Sequence, residues 1–221
     1  QNRREIIALI FTAMQNPFKV IALDLGGVIF DQSHENAIRH FEEVGVREAA
    51  RYLNPFYQEG IFGDLEDGKI SAEDFRRELS KLCGKELTLE DCRYGWTGFR
   101  IGLPQRNLDF LLRLREMGYR RVLLSNTNPF MVMDPDGTGF DGKGHSLDYY
   151  FDATYLSFEC KLRKPSPEIY RYVLDKEGIR PEELLFVDDS PRNTEAAKAL
   201  GIHVLNPQAN TDWTGAVLRL L

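Results

Sequence analysis

Short apolar runs alternate with amphipathic stretches along most of the chain. Five runs have the length and composition of buried strands, at residues 19–25, 121–125, 153–157, 183–187 and 202–205. Helical spacing of apolar residues precedes the second run, from Leu108 to Met117, and Gly118 ends that stretch. Because such alternation is typical of parallel βαβ units, the sequence predicts an α/β fold with a doubly wound, Rossmann-like parallel sheet.

One long segment interrupts the alternation. Residues 32–100 show several helical patterns and no convincing strand. Ser71 with Asp74, and Thr88 with Asp91, have the spacing of capping boxes that begin helices. We therefore predict a set of helices inserted after the first strand of the sheet.

These patterns divide the chain into three parts. They predict an N-terminal extension, a split core domain and an inserted α-helical cap domain: residues 1–17, residues 18–31 with 101–221, and residues 32–100. The apolar run from Ile6 to Phe11 follows two arginines, as in a signal peptide. Polar residues interrupt that run and no A-x-A-like cleavage site follows it, so secretion is not expected. Met14 is a possible internal start.

Composition and charge narrow the class of partners. A net charge of -6 provides no basic surplus to replace phosphate counterions, which argues against general binding to nucleic acid or anionic membranes. No apolar stretch approaches the roughly 20 residues that span a bilayer. The three cysteines form no C-x-x-C pair, which favours a reducing compartment. We expect a cytoplasmic protein, monomeric or homodimeric, with no nucleic-acid or membrane partner.

Acidic residues stand at the ends of two predicted strands. Asp24 follows the first run, and Asp188 and Asp189 follow the fourth. A single aspartate at a strand end is more often a helix cap, but parallel strands bring their carboxyl ends to one edge of the sheet. Three carboxylates there would repel one another unless a cation lay between them. Oxygen ligands favour Mg²⁺, and Gly26 and Gly27 would let the main chain approach the ion and its phosphate.

Two further groups complete the candidate site. Ser125 and Asn126 end the second run and offer hydroxyl and amide donors to a phosphate, although such a pair is also common in turns. Lys164 precedes a helix that has proline near its start. Alone it would be interpreted as a surface lysine; beside three carboxylates and a phosphate, its ammonium group would balance charge.

Four ordered motifs together resemble those of the haloacid dehalogenase-like (HAD) superfamily: Asp24-Leu-Gly-Gly-Val28, Ser125-Asn126, Lys164-Pro165 and Phe186-Val-Asp-Asp189. The resemblance extends from about residue 18 to 206 and includes a helical cap after the first strand. It is nearest to the branch that contains sugar-phosphate phosphatases and the phosphatase domain of epoxide hydrolase. The resemblance implies a Mg²⁺-dependent phosphatase acting on a small phosphorylated metabolite, such as a sugar phosphate.

The same resemblance implies roles for individual residues. Asp24 would attack phosphorus and form an aspartyl-phosphate, while Lys164 would orient it, with Lys161 as the alternative lysine. The implied Mg²⁺ ligands are Asp24, the Gly26 carbonyl and Asp189, supported by Asp188. The implied phosphate-binding residues are Ser125, Asn126, Gly26 and Gly27. Substrate selection would fall to the cap, through a turn at residues 62–68.

One position departs from the family pattern. Most phosphatases of the superfamily have a second aspartate two residues after the nucleophile, as the general acid and base, and this chain has Gly26 there. The substrate could have a good leaving group, or a cap residue such as His34 or Glu59 could supply the proton. Similar sequences in the sugar-phosphate branch also have glycine here, which favours activity.

Three other functions compete with the phosphatase interpretation. The first is a non-catalytic or weakly active protein that binds phosphorylated ligands, as the missing aspartate at position 26 would allow. A phosphomutase depends heavily on that aspartate as a shuttle acid, so the glycine at position 26 argues against this function. A dehalogenase needs no metal, which would leave Asp188 and Asp189 unexplained.

A Gly- and Pro-rich segment, residues 133–146, is predicted to be a mobile surface insertion. Its acidic residues Asp134, Asp136 and Asp141 suggest a calcium loop. His145 occupies the place where an EF-hand has its bidentate glutamate, which argues against calcium.

Overall fold

A computed structural model of the chain describes residues 16–53, 58–132 and 137–221. Its strands, in chain order, are β1 (Val20–Leu23), β2 (Asp31–Gln32), β3 (Arg100–Gly102), β4 (Arg120–Ser125), β5 (Ala153–Leu156), β6 (Leu184–Val187) and β7 (His203–Leu205). Five of them form a parallel sheet in the order β5-β4-β1-β6-β7. The predicted α/β fold with a doubly wound parallel sheet is confirmed.

Helices occupy most of the remaining described chain. Five lie between β2 and β3: α1 (His34–Glu43), α2 (Ala49–Tyr52), α3 (Gly60–Glu66), α4 (Ala72–Cys83) and α5 (Leu89–Thr97). The others follow β3: α6 (Gln105–Glu116), α7 (Pro129–Val132), α8 (Leu147–Tyr150), α9 (Ser157–Cys160), α10 (Pro167–Glu177), α11 (Pro191–Lys198) and α12 (Thr214–Leu220). A 3-10 turn at Pro181–Glu183 leads into β6.

The central strand β1 determines where the site lies. It pairs with β4 on one side and β6 on the other, so that Leu23 is opposite both Leu123 and Val187. All four residues of β1 are buried, as expected for a strand that is covered on both faces. The chain runs outward from β1 in both directions, and the residues after β1, β4 and β6 therefore meet at a topological switch point.

The helices between β2 and β3 have an apolar core of their own. The Phe62 ring lies 5.0 Å from that of Phe41 and 5.1 Å from that of Phe75, measured between centroids. The Trp96 ring lies 5.6 Å from the Phe62 ring. This separate core supports the predicted division into core and cap, which remains a prediction at its boundaries. Of the predicted extension, residues 1–15 lie outside the described part of the chain.

Both predicted capping boxes begin helices of the cap. The Ser71 hydroxyl accepts a hydrogen bond from the Asp74 main-chain N–H at 3.1 Å, and the Asp74 carboxylate accepts one from the Ser71 main-chain N–H. Thr88 and Asp91 form the same pair of bonds at the start of α5. Each box satisfies N–H groups that would otherwise lack helical partners.

A small antiparallel sheet joins the cap to the core. Asp31 pairs with Gly102, and Gln32 pairs with Arg100. The prediction that residues 32–100 hold no strand is wrong at its two ends, since Gln32 and Arg100 are strand residues. Strands of two and three residues are too short for a periodic pattern to reveal.

The predicted insertion at 133–146 is described only in part. Asp134 and Asp136 lie outside the described residues. The Asp141 carboxylate is engaged by neighbouring residues of the chain: it accepts hydrogen bonds from the Tyr150 hydroxyl at the end of α8 and from the Lys143 main-chain N–H, both at 2.7 Å.

Over the described residues, no helix combines the length and the apolar character that a membrane span would require.

Candidate active site

Three carboxylates converge at the switch point. Asp24 directly follows β1, and Asp188 and Asp189 directly follow β6. One oxygen from each lies within 4.8 Å of the others. In the described ranges this is the one group of three or more Asp, Glu, His or Cys side chains placed to hold a metal ion. The sequence therefore predicted correctly which acidic residues meet.

Lys164 lies among these carboxylates. Its Nζ is 2.9 Å from Asp24 Oδ1 and 2.6 Å from Asp188 Oδ2. Its side chain is 1% exposed, and its Nζ also donates to the Leu124 carbonyl at 2.9 Å. The alternative residue, Lys161, instead lines a surface cleft with Asp67. The geometry supports Lys164 as the lysine that orients Asp24.

The electrostatics of the cluster favour a divalent cation. Burial raises the pKa of Asp24, and the neighbouring carboxylates of Asp188 and Asp189 raise it further, while Lys164 opposes them. Burial and Asp188 likewise raise the pKa of Asp189. Three ionised carboxylates and one ammonium carry two excess negative charges, which one Mg²⁺ would balance. The oxygen-only donor set therefore fits Mg²⁺.

Asp188 is already engaged by the protein. It is fully buried, and its Oδ1 accepts hydrogen bonds from the Ser190 main-chain N–H at 2.8 Å and from Asn193 Nδ2 at 3.1 Å. Its Oδ2 accepts a hydrogen bond from Lys164 Nζ. Asp189 is less engaged, since its Oδ2 accepts a bond of 3.2 Å from Gln32 Nε2. Asp188 thus suits the supporting role, and Asp189 is the better placed metal ligand.

The end of β4 contributes Ser125 and Asn126. Both line the cavity next to Asp24, and Ser125 is buried. The Asn126 side chain forms two hydrogen bonds of 2.9 Å with the Lys164 main chain, one to its carbonyl and one from its N–H. The side-chain amide of Asn126 is therefore engaged by the protein, and the phosphate contact of this residue stays a prediction. This side chain positions Lys164, and a phosphate contact from Asn126 would come from its main-chain N–H.

The two glycines after Asp24 lie against side chains of the site. A Cβ atom on Gly27 would lie 2.5 Å from Asp189 Oδ2, and its φ of +74° also favours glycine. A Cβ atom on Gly26 would lie 2.4 Å from Gln32 Oε1. Gln32 therefore fills the space where a side chain at position 26 would point. The sequence analysis missed Gln32, which has no motif around it.

A cavity opens between this cluster and the cap. Its walls combine core and cap residues: Asp24, Leu25, Gly26, Phe30, Ser125, Asn126, Thr127, Asn128 and Met131 from the core, Gln32 from the joining strand β2, and Gln58, Glu66, Trp96 and Phe99 from the cap. The suggested proton donors His34 and Glu59 are not among them. The His34 Nε2 atom is instead 2.6 Å from the Leu53 carbonyl oxygen, and Glu59 is exposed. Neither residue therefore suits that role.

Three buried polar atoms that lack a protein partner belong to residues that line this cavity. In the described chain, four buried side-chain nitrogen or oxygen atoms lack a hydrogen bond, and three belong to cavity residues: Gln58 Oε1, Trp96 Nε1 and Asn128 Nδ2. Asn128 Oδ1 accepts a 3.1 Å bond from the Phe130 main-chain N–H, which fixes the orientation of its amide. Unsatisfied buried polar groups are costly, so their concentration here indicates a polar ligand. None of these three residues belongs to a sequence motif.

The segment predicted as a substrate-selecting turn is largely helical. Residues Gly60–Glu66 form α3, and only Asp67 and Gly68 form the turn after it. Phe62 belongs to the cap core, whereas Glu66 lines the cavity. The prediction of a turn is therefore wrong over most of 62–68, because the helix buries apolar residues on its cap side.

The chain belongs to the haloacid dehalogenase-like hydrolase family, whose family model matches residues 18–201. It is 40% identical over 195 residues to a D-ribitol-5-phosphate phosphatase of Bacteroides thetaiotaomicron, a match that spans 88% of this chain and 94% of that protein. It is 27% identical over 200 residues to the bifunctional epoxide hydrolase 2 of Rattus norvegicus, with 83% of this chain and 35% of that protein covered.

Solved structures give the same result. The fold matches a predicted HAD-like family hydrolase from Porphyromonas gingivalis with a TM-score of 0.84 and 38% identity, over 92% of this chain and 97% of that one. It also matches a HAD family enzyme from Bacteroides thetaiotaomicron, solved with magnesium and inorganic phosphate, with a TM-score of 0.80 and 34% identity, over 90% and 98% of the two chains. The predicted family and its hydrolase class are confirmed.

Proposed function

We propose that this chain is a Mg²⁺-dependent phosphatase that hydrolyses a phosphorylated sugar or polyol through an aspartyl-phosphate on Asp24. The observation that carries the proposal is the Lys164 ammonium held between Asp24 and Asp188, beside Asp189. A relative 40% identical to this chain is a D-ribitol-5-phosphate phosphatase, and a structural neighbour was solved with magnesium and phosphate. Both support the same reaction here.

Asp24 is oriented for attack by its hydrogen bonds. Its Oδ1 accepts bonds from the Leu25 main-chain N–H at 2.7 Å and from Lys164 Nζ at 2.9 Å. An oxygen of Asp24 would attack phosphorus while the bond from phosphorus to the substrate oxygen breaks. Water would then attack the aspartyl-phosphate, releasing inorganic phosphate and regenerating Asp24.

The groups around Asp24 would hold the phosphoryl group during both steps. Lys164 would offset its negative charge, and the Ser125 hydroxyl and the Asn126 N–H would donate to its oxygens. Asp24, Asp189 and the Gly26 carbonyl would hold Mg²⁺, with Asp188 fixing Lys164 beside them. When bound, Mg²⁺ supplies positive charge for the phosphoryl oxygens in a site that is otherwise too negative to accept them.

The cavity supports a polyhydroxylated leaving group. Trp96 Nε1 and Asn128 Nδ2 are hydrogen-bond donors, and Gln58 Oε1 is an acceptor, so together they match a hydroxyl-rich chain. A purely apolar leaving group would leave all three atoms unsatisfied, which costs roughly 1–3 kcal/mol for each.

Phosphate release from D-ribitol 5-phosphate tests this function. We expect turnover with Mg²⁺, loss of turnover with EDTA, and loss with Asp24→Asn, which keeps the shape of the side chain. In the wild type, rapid quenching should reveal a chain heavier by one phosphoryl group, and Asp24→Asn should lack it.

Other outcomes would assign the site differently. Binding of phosphate without turnover of any sugar, polyol or aryl phosphate would favour the phospholigand-binding protein, an alternative that the glycine at position 26 keeps open. Metal-independent halide release from a 2-haloacid would identify a dehalogenase and contradict the proposal.

A further inference from the structure

Residue 26 offers no proton donor, and another side chain fills the space beside it. Gln32 occupies that space, and its Nε2 is bound to Asp189. An alkyl or sugar oxygen is a poor leaving group without a proton, so the proposed reaction needs an acid elsewhere on the cavity wall.

Glu66 is the carboxyl group that the cap places on that wall. Its side chain lines the same cavity as Asp24, although the residue as a whole is only 8% exposed. Among the residues that the structure describes, the Glu66 carboxyl forms no hydrogen bond or ion pair. A carboxyl group buried to this extent is normally paired, so one that faces a cavity without a partner indicates a ligand.

The position of Glu66 is fixed by its main chain. The Ser157 hydroxyl donates a 2.6 Å hydrogen bond to the Glu66 carbonyl and accepts one of 3.0 Å from the Thr127 N–H. Two residues on, a Cβ atom at Gly68 would lie only 2.0 Å from the Phe158 carbonyl oxygen. The cap therefore contacts the core main chain directly at this point, which holds Glu66 over the strand ends.

The surroundings of Glu66 favour its protonated form. The pKa of Glu66 is raised to about 7, mainly by burial; Arg163 opposes this rise, and Asp67 and Asp24 contribute to it. Arg163 is itself paired with Asp67 at 3.1 Å, which limits its influence on Glu66. A carboxyl group of this kind holds a proton near neutral pH and can give it up to a stronger base.

We propose that Glu66 is the general acid and base of this enzyme, in place of the aspartate that the family usually has at position 26. This inference rests on the proposed phosphatase function. As the bond between phosphorus and the substrate oxygen breaks, Glu66 gives its proton to that oxygen. In the second step the Glu66 carboxylate takes a proton from the attacking water, and the bond between Asp24 and phosphorus breaks.

Leaving-group dependence separates this role from a structural one. D-ribitol 5-phosphate needs a proton on its leaving oxygen. In contrast, 4-nitrophenyl phosphate releases a stable phenolate, whose oxygen needs little protonation. Glu66→Gln should lower kcat for the first substrate by about 10²–10⁴-fold and for the second by less than about tenfold. Glu59→Gln, at the exposed start of α3, is the matched control and should leave both rates unchanged.

A second measurement covers the case in which Glu66→Gln disturbs the site. The affinity for inorganic phosphate in the presence of Mg²⁺, measured by calorimetry, should be nearly unchanged in Glu66→Gln. Glu66→Asp should recover part of the lost kcat on D-ribitol 5-phosphate, since it restores a carboxyl group.

The outcomes separate the two proposals. Equal loss on both substrates, or no loss on either, would overturn the role of Glu66 while leaving the phosphatase function standing. Absence of Mg²⁺-dependent phosphate release by the wild type, or full activity of Asp24→Asn, would overturn the phosphatase function and the role of Glu66 with it.

Discussion

Lys164 donates a hydrogen bond to Asp188 across 2.6 Å, and both side chains are almost completely buried. The carboxylates of Asp188 and Asp24 raise the pKa of this lysine, outweighing the burial that would lower it. Both groups therefore stay charged. Each charge is stabilised by the other, because an unpaired buried charge is strongly unfavourable.

Removal of the ammonium group should cost both stability and activity. We expect Lys164→Met to lower the free energy of unfolding by about 3–5 kcal/mol, measured by urea denaturation, because Asp188 loses its buried partner. Phosphate release should be abolished. Lys161→Met provides the control, since Lys161 lies at a surface cleft, and it should change neither quantity. Equal effects at the two positions would contradict the role given to Lys164.

Gly27→Ala should weaken Mg²⁺ binding. The added methyl group would lie 2.5 Å from Asp189 Oδ2 and push that carboxylate away. The positive φ should itself cost about 1–2 kcal/mol of stability. Gly118→Ala separates the two effects: Gly118 has a φ of +88° and nothing within 4 Å of its added Cβ. Titration calorimetry should therefore show reduced Mg²⁺ affinity for Gly27→Ala alone.

Trp96→Phe should weaken substrate binding. It removes the unpaired Nε1 together with part of a fully buried ring, so the cavity left behind should lower the free energy of unfolding, but by less than at a tryptophan whose Nε1 is hydrogen-bonded. KM for D-ribitol 5-phosphate should rise by about 3–10-fold, the equivalent of one hydrogen bond. Trp213→Phe is the contrasting variant, because Trp213 Nε1 donates to the Val28 carbonyl at 2.7 Å. It should lose stability without a change in KM.

Glu66 should make the metal-free protein less stable as the pH rises. Its pKa is about 7 in the folded chain and 4.5 as an ordinary glutamate, so between these values the native state binds more protons than the unfolded state. The contribution of protonated Glu66 to the free energy of unfolding is then fully present below about pH 4.5, and it is lost as the pH rises through about 7. In EDTA, wild type and Glu66→Gln should have similar unfolding free energies near pH 4.5. Near pH 8 the variant should be more stable by up to about 3 kcal/mol. Parallel pH curves for the two proteins would contradict the raised pKa.

The core part of the site was accessible from the sequence, and the cap part was not. Asp24, Ser125 and Asp188 could be placed together because parallel strands bring their carboxyl ends to one edge, whatever the helices do. Gln58, Glu66 and Trp96 meet the cavity only after the cap has folded and docked. Their convergence depends on packing between helices that are distant in sequence.

The directions of side chains within the site were also not predictable from the sequence. The residue type at 126 suggests an amide aimed at phosphate, but the structure directs that amide to the Lys164 main chain. Likewise, Gly26 suggested a missing acid, and only the structure shows that Gln32 fills the space. Competition among several possible hydrogen-bond partners decides such orientations, and one sequence does not reveal which partner wins.

The antiparallel pair β2–β3 carries both crossings between core and cap, at residues 31–32 and 100–102. An inserted segment thus leaves and re-enters at neighbouring points on one side of the sheet. Its length and contents can vary without displacing Asp24 or the ends of β4 and β6. Evolution, or a protein engineer, could therefore exchange the segment between these crossings as a module and retarget the enzyme to a new leaving group while keeping its phosphoryl-transfer chemistry.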